Sequence, residues 1–495
     1  MKKMNMLVNP IDRKSHINKE IYGHFMEHLG RCIYNGIYVG PDSSIPNTKG
    51  IRNDIIEAFK QIRVPVLRWP GGCFADTYHW KDGIGPKSER SHITNVNWGC
   101  VDEDNSFGTH EFFDLCELVG AEPYLAGNVG SGSAQELADW IEYITFDGKS
   151  PMSELRRKNG REKPWKLKYV GIGNESWGCG GNMLPEQYAG EYRKYSSFCR
   201  NYSDNKLYRV ACGGDDEWNE TLLTKLKSGA AFDLVNAVTL HYYTILGNDF
   251  AHKGSATDFT EDAYYQSLKN TQGIDNSISR SIKMLDLHDP DERLGLIVDE
   301  WGCWYDVEPG TNPGFLYQQN TMRDAVVAAL YLNIFNSHSR RVVMANLAQT
   351  VNVLQAIILT DGEKMIKTPT YHVMDLFKEH MDGTLLYSFV DNDYENGIAC
   401  ISQSASVDDK NRIHVTIANM SLHRSYSLCC QLPYIRIKEA AARILTGEVH
   451  SHNTFDEPDN VIIKEHALKH NSNEIEIELP SCSVVSVEII PEQQI

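Results

Sequence analysis

Short apolar runs alternate with stretches of helical spacing along most of this chain, and near its end a second rhythm takes over. The runs fall at 21–28, 64–72, 123–128, 167–175, 208–212, 234–243, 294–302 and 341–349. Most are rich in β-branched or aromatic residues and end in acid or amide. Buried parallel strands look like this when they carry polar side chains to the rim of a sheet. Between the runs, Ile51, Ile55, Ala58, Phe59 and Ile62 share one helical stripe, and Phe112, Leu115, Cys116 and Val119 keep i, i+3, i+4, i+7 spacing up to Gly120. Ser133 and Glu136 predict a capping box ahead of Leu137, Trp140, Ile141 and Ile144. Pro185 suits a first helical position, and Tyr188, Tyr192 and Tyr195 behind it are read as core. Further helices are predicted around 218–226, through Ile278, Ile282 and Leu285 after a long polar loop, over 321–335, and around Val373, Leu376 and Phe377. Eight strands alternating with eight helices predict an α/β fold, a (β/α)8 barrel over 16–383. After about 384 the period becomes two, clearest in Ile413-Val415-Ile417 and Ile475-Ile477-Leu479, which predicts an all-β sandwich over 384–495.

The length of 495 residues suits a large barrel with one smaller module, and 41% hydrophobic with 23% charged residues is the composition of a soluble globular protein. A formal net charge of −18 repels phosphate backbones and anionic lipid, so nucleic acid and membrane surfaces are not expected partners. The first ten residues lack the apolar region of a secretory signal and no later run reaches membrane-span length, so a cytoplasmic protein is expected. The twelve cysteines form no CxxC pair and are read mostly as reduced, buried small hydrophobes, although Cys73, Cys179 and Cys303 flank strand ends. No HExxH motif or paired Cys/His spacing is present; neither a metal nor a cofactor is expected.

In a (β/α)8 barrel the C-terminal strand ends share one rim, so Glu27, Arg68, Asn128, Asn174, Glu175, His241, Tyr243, Glu300 and Gln349 are expected to face one pocket. Taken singly, Glu27 or Arg68 would be a rim salt bridge and Tyr243 half-buried core. The convergence points to chemistry instead. Two carboxyls facing each other are the minimum equipment for glycosidic bond cleavage, at about 5 to 5.5 Å for a retaining mechanism. Glu175 is the expected general acid/base, with Asn174 beside it to bind a sugar hydroxyl. Glu300 is the expected nucleophile, kept ionised by Arg68 or Tyr243, and its charge is expected to raise the pKa of Glu175. Trp301 is counted among the substrate-binding residues. Asp299 is the rival for the second carboxyl, although strand alternation should turn it away from its neighbour.

The run Gly173-Asn174-Glu175-Ser176-Trp177-Gly178-Cys179-Gly180-Gly181-Asn182-Met183 resembles the acid/base signature of family 51 α-L-arabinofuranosidases. The stretches HFMEHLGR at 24–31, RWPGG at 68–72, NWGC at 97–100, GNVGSG at 127–132, HYYT at 241–244, DEWG at 299–302 and NLAQTVN at 346–352 resemble that family too, in its order. The resemblance implies a barrel with a jelly-roll-like sandwich joined by the N-terminal strand, so that residues 1–15 go with 384–495. It also implies a retaining exo-acting arabinofuranosidase acting on arabinose-containing oligosaccharides, no metal, and commonly a homohexamer. By position, Glu175 is acid/base and Glu300 nucleophile, while Glu27, Asn174, Tyr243 and Gln349 would hold the arabinofuranose. Cys73 and Phe74 match a backbone-contact site, where many relatives have Asn in place of Cys73. Competing readings are another retaining glycosidase on the same plan, such as a β-xylosidase or endoglucanase, a non-catalytic carbohydrate-binding protein, and a metal-dependent barrel enzyme. Whether the substrate derives from arabinoxylan or arabinan is left open; a cytoplasmic location favours a short imported oligosaccharide.

Overall fold

The structure, a computed structural model, describes residues 1–247 and 250–493. The eight apolar runs close into a parallel barrel in which each strand pairs with its neighbours in the chain: Gly23–Phe25, Val66–Trp69, Glu122–Gly127, Tyr169–Ile172, Tyr208–Ala211, Ala237–Thr244, Gly295–Cys303 and Val342–Ala348, the last returning to the first. The first strand is shorter than expected because Lys19–Tyr22 winds into a 3-10 turn before it. Val66, Tyr124, Tyr169, Val210, Ala237, Ile297 and Met344 fill the barrel's interior as a separate small core. The rest of each strand is buried against helices outside, which is why these strands read as continuous apolar runs.

The helices differ from expectation where polar residues disguise them. Ser133 does accept the Glu136 N–H at 3.1 Å, but the Glu136 carboxylate turns to His79 Nδ1 at 2.9 Å, so only half of the capping box forms. Much of the supposed polar loop before Ile278 is helix: Glu261–His288 runs for 28 residues from a Thr260 cap. Its buried stripe of Tyr264, Leu268, Thr271, Ile274, Ile278 and Leu285 is separated by polar residues such as Gln266, Lys269, Asp275 and Asn276 that face outward. The helix Pro151–Lys158, capped by Ser150, was not foreseen. Met322–Ser337 is buried almost all round because it lies between the barrel and the β-sandwich. There Asn333 and Asn336 donate to Ser402 and Ser404.

In the sandwich, Lys2–His16 pairs with Thr384–Val390 and with Tyr426–Gln431, so the chain's first strand sits inside a ten-stranded sheet built otherwise from its last hundred or so residues. Met4, Met6 and Val8 join Ile413, Val415, Ile417, Ile475, Ile477 and Leu479 in the second core. Among the described residues no helix is long and apolar enough to cross a membrane. Ten cysteines are free and mostly buried. The expectation of reduced thiols fails at Cys73 and Cys179, which are joined in a disulfide.

Candidate active site

The site is built around a buried arginine. Arg68, carried by the second barrel strand, donates from Nη1 to Glu300 Oε1 at 2.9 Å and from Nη2 to Asn174 Oδ1 at 2.6 Å, and its Nε lies 3.2 Å from Asp299 Oδ2. Its guanidinium stacks 4.4 Å from the Phe25 ring. Burial alone would favour the neutral form, but the charges of Asp299 and Glu300 more than offset it and its pKa moves up. Arg68 was expected to face the pocket as a substrate contact. Instead it lies behind Glu300 and Asn174 and orients both. Arg68→Ala should therefore strand two buried carboxylates and destabilise the fold by about 3 to 5 kcal/mol, measured by urea unfolding against wild type.

Asp299 and Glu300 do not alternate as strand residues should. Leu240 pairs with Val298 and His241 with Glu300, so Asp299 is the extra residue of a β-bulge, and both carboxyls turn to Arg68. The expectation that Asp299 points away is corrected accordingly. It lies below the pocket, accepting from Tyr124 at 3.0 Å and Asn346 at 2.9 Å, while Glu300 opens upward. Glu300 Oε2 accepts from the Tyr243 hydroxyl at 2.6 Å. Burial and the Glu300 charge push the Tyr243 pKa well up, so the hydroxyl keeps its proton and remains a donor.

Glu175 follows the fourth strand in a tight turn, at a φ of +39° that non-glycine residues seldom adopt. Gly180 is required there, since a Cβ on it would come 1.8 Å from the Asn174 carbonyl oxygen. Glu175 Oε1 lies 2.9 Å from His241 Nδ1, which is 3.6 Å from Glu300 Oε2. One oxygen of Glu175, one of Glu300 and a His241 nitrogen all lie within 4.8 Å of one another. Burial pushes the Glu175 carboxyl up, but the hydrogen bond and charge of His241, with Arg68, overcome it and the net displacement is downward. Burial pulls His241 down, whereas Glu300 and Glu175 raise it to a net upward shift. The expected elevation of Glu175 by Glu300 is not found: burial alone pushes the carboxyl up, and the imidazole between the two acids, with Arg68, outweighs it.

The far wall belongs to Glu27. Its Oε1 accepts from the Gly72 N–H at 2.9 Å, the Phe74 N–H at 3.4 Å and Trp98 Nε1 at 3.0 Å, and its Oε2 from Gln349 Nε2 at 2.7 Å. Burial and the Glu300 charge push Glu27 up to about 7. Gly72 must lack a side chain because a Cβ would come 2.8 Å from Glu300 Oε1. Asn174 Nδ2 and Gln349 Oε1 are buried without a protein partner, the condition of groups awaiting a ligand. A small inner cavity of about 50 Å³ is lined by Glu27, Cys73, Glu175, Tyr243, Glu300 and Gln349 among others. A cleft of about 780 Å³ opens beyond it along Trp177, His241, Tyr242 and Phe250. Glu175 borders both.

Two expected residues, Trp301 and Asn128, fall elsewhere, while Phe74 meets the site through its backbone, as expected. Trp301 is fully buried, packed against Tyr331 and Phe335 of Met322–Ser337, so it is core and no substrate contact. The Phe74 ring is buried against His28, and only its N–H reaches the site. Asn128 is spent on its own loop, bonding Tyr78 and Ser131. Trp98 and Trp304 were missed as individual residues; Trp304 lines the inner cavity and meets Tyr243 edge-on at 5.2 Å. The NWGC stretch was the available signal for Trp98. Two sets could supply ligands to a cation among the described residues: Glu175, His241 and Glu300, and Cys73, Glu175 and Cys179.

A closed parallel barrel with two carboxyls brought together at a small cavity on its C-terminal rim defines a glycoside hydrolase. Known proteins agree. The α-L-arabinofuranosidase C-terminal domain matches residues 299–483 and the α-L-arabinofuranosidase 1 domain matches 58–258. The chain is 46% identical to an intracellular exo-α-L-arabinofuranosidase of Bacteroides ovatus over 99% of this chain and 96% of the relative. It is 33% identical to a probable α-L-arabinofuranosidase C of Aspergillus niger, over 76% of this chain and 74% of that one. Among solved structures, the family 51 arabinofuranosidase of Xanthomonas axonopodis pv. citri superposes with a TM-score of 0.96 at 40% identity, over 99% of this chain and all of that one. The chain belongs to glycoside hydrolase family 51, the α-L-arabinofuranosidases.

Proposed function

We propose that this protein is an exo-acting, retaining α-L-arabinofuranosidase that removes terminal non-reducing arabinofuranosyl residues from arabinose-containing oligosaccharides by double displacement. The observation that carries this reading is the approach of one Glu175 oxygen and one Glu300 oxygen to within 4.8 Å, closer than the spacing of about 6.5 to 9.5 Å at which inverting enzymes hold their carboxyls to admit a water on the far face of the sugar. The sugar would enter the inner cavity, where Glu27, Asn174 Nδ2 and Gln349 Oε1 meet its hydroxyls, and the leaving group would lie in the outer cleft. A small cavity beside a much larger cleft suits one terminal residue on one side of the carboxyls, which is exo action.

Glu300 attacks the anomeric carbon while Glu175 protonates the departing oxygen. The His241–Glu175 pair holds the proton to be given. Bound sugar excludes water and disfavours the charge-separated form, which moves the proton from imidazolium to carboxyl. In the second step Glu175 takes a proton from water, which attacks the glycosyl ester and frees Glu300. On this reading residues 16–383 carry the reaction and 1–15 with 384–495 brace it. The relative's description as intracellular supports a cytoplasmic location, with short oligosaccharides derived from arabinoxylan or arabinan as substrates. Family likeness supports a homohexamer, which light scattering would check. The deciding experiment is hydrolysis of a panel of 4-nitrophenyl glycosides with EDTA present, followed by NMR of the first-formed sugar. Preference for the α-L-arabinofuranoside with the α anomer released first supports the reading. Preference for a xyloside or glucoside, or release of the β anomer, overturns the substrate or the mechanism respectively.

A further inference from the structure

The Cys73–Cys179 bond closes the rim of the pocket directly beside the acid/base. Cys73 opens the turn Cys73–Thr77, and its carbonyl accepts from Asn97 Nδ2 at 3.3 Å. Cys179 is exposed, and its sulfur lies 3.5 Å from Glu175 Oε2, a contact and no hydrogen bond while the sulfur carries no proton. The bond ties the loop after the second barrel strand to the loop after the fourth, 106 residues on. Cytoplasmic glutathione and thioredoxin keep most thiols reduced. In the location proposed above, this pair would therefore meet conditions that open it.

We propose that reduction converts this corner into a binding site for a thiophilic divalent cation of the zinc class, held by Cys73 Sγ, Cys179 Sγ and one Glu175 oxygen, and that the bound cation silences the enzyme. The three candidate ligand atoms lie within 4.8 Å of one another. Zinc takes sulfur at about 2.3 Å in a tetrahedron, which asks for sulfurs about 3.8 Å apart. Cysteines whose Cα atoms are 5.5 Å apart reach that by side-chain rotation. The fourth position is left to water, since Cys179 is exposed. A dithiol delivers two electrons and two protons, splitting the S–S bond into two thiols and leaving as its own cyclic disulfide. A phosphine with one water does the same and leaves as the phosphine oxide. Zinc then releases both thiol protons to solvent and takes the Glu175 carboxylate as its third ligand. Glu175 cannot protonate a leaving oxygen while it ligates. Removal of the cation or re-formation of the S–S bond restores it.

The test compares the full-length protein before and after treatment with a phosphine reductant, desalted without oxygen. Each sample is incubated with zinc chloride and gel-filtered, then assayed for zinc, thiols and hydrolysis of a chromogenic arabinofuranoside. The expected result is two additional titratable thiols, about one additional zinc per chain and a loss of activity of about tenfold or more that EDTA reverses. Cys179→Ser, compared with its own zinc-free rate, should retain none of the additional zinc, and Cys73→Ser should behave alike. Zinc held by Glu175, His241 and Glu300 would appear equally in both redox states, so the difference isolates the sulfur site. Equal retention before and after reduction, no gain in thiols, or additional zinc persisting in the serine variants overturns the proposal. Zinc retention needs no substrate, so this result stands apart from the sugar preference.

Discussion

Glu300→Ala should lower kcat/KM for an α-L-arabinofuranoside by about 10⁵-fold, because it removes the atom that forms the glycosyl bond and not merely a charge. Its stability should change less than that of Arg68→Ala, since Arg68 keeps Asp299 at 3.2 Å and the buried guanidinium retains a counter-charge. Asp299 makes the informative control. It shares the bulge and the arginine with Glu300, but it is held by Tyr124 and Asn346 below the pocket. Azide given with an activated aryl arabinofuranoside separates the two carboxyls. In Glu300→Ala the small anion can occupy the vacated volume and attack the anomeric carbon, giving the β-arabinofuranosyl azide with inverted configuration. In Asp299→Ala the attacking carboxylate is still present and azide should give no such product. If the inverted azide appears only with the Asp299 variant, the two assignments are exchanged.

The barrel was legible because its strands are buried on both faces, which leaves continuous apolar runs whose last residues must be polar to reach the rim. Glu175 and Glu300 stand out as acids attached to such runs. Contacts that depend on a local irregularity were hidden. The bulge at Asp299 reverses the alternation that sequence alone suggests, turning Asp299 to Arg68 and sending Trp301 outward into the helix Met322–Ser337. His241 could be placed on the rim but not between two glutamates, since that needs the packing of the sixth strand against the seventh. The pairing of Cys73 with Cys179 was invisible for a related reason: the side-by-side pairing of the second, third and fourth strands brings loops two and four together, and no spacing in the chain encodes it. The helix Glu261–His288 shows the opposite failure, a polar composition concealing an apolar stripe on one face.

Glu175→Ala should divide substrates by their leaving group. With an oligosaccharide, whose departing alkoxide needs a proton, the rate should fall by about 10⁴-fold, the upper range for losing a general acid. With a 4-nitrophenyl or dinitrophenyl arabinofuranoside the first step needs little help, so the glycosyl-enzyme should accumulate and a burst should appear. Hydrolysis of that ester should then be slow for want of a base. Azide should relieve it by attacking the anomeric carbon and releasing the Glu300 carboxylate, yielding the α-arabinofuranosyl azide of retained configuration, the opposite anomer to that expected from Glu300→Ala. The pH profile carries an independent sign. Glu175 is displaced downward and His241 upward, so one proton is shared over the pair and is lost only as pH climbs through the raised His241 value; the alkaline limb belongs to the pair and to neither residue alone. Removing Glu175 leaves that proton on His241 with no carboxyl to pass it to the leaving group, so the alkaline limb should flatten for activated substrates. Equal slowing of good and poor leaving groups would mean that Glu175 positions the sugar without giving it a proton.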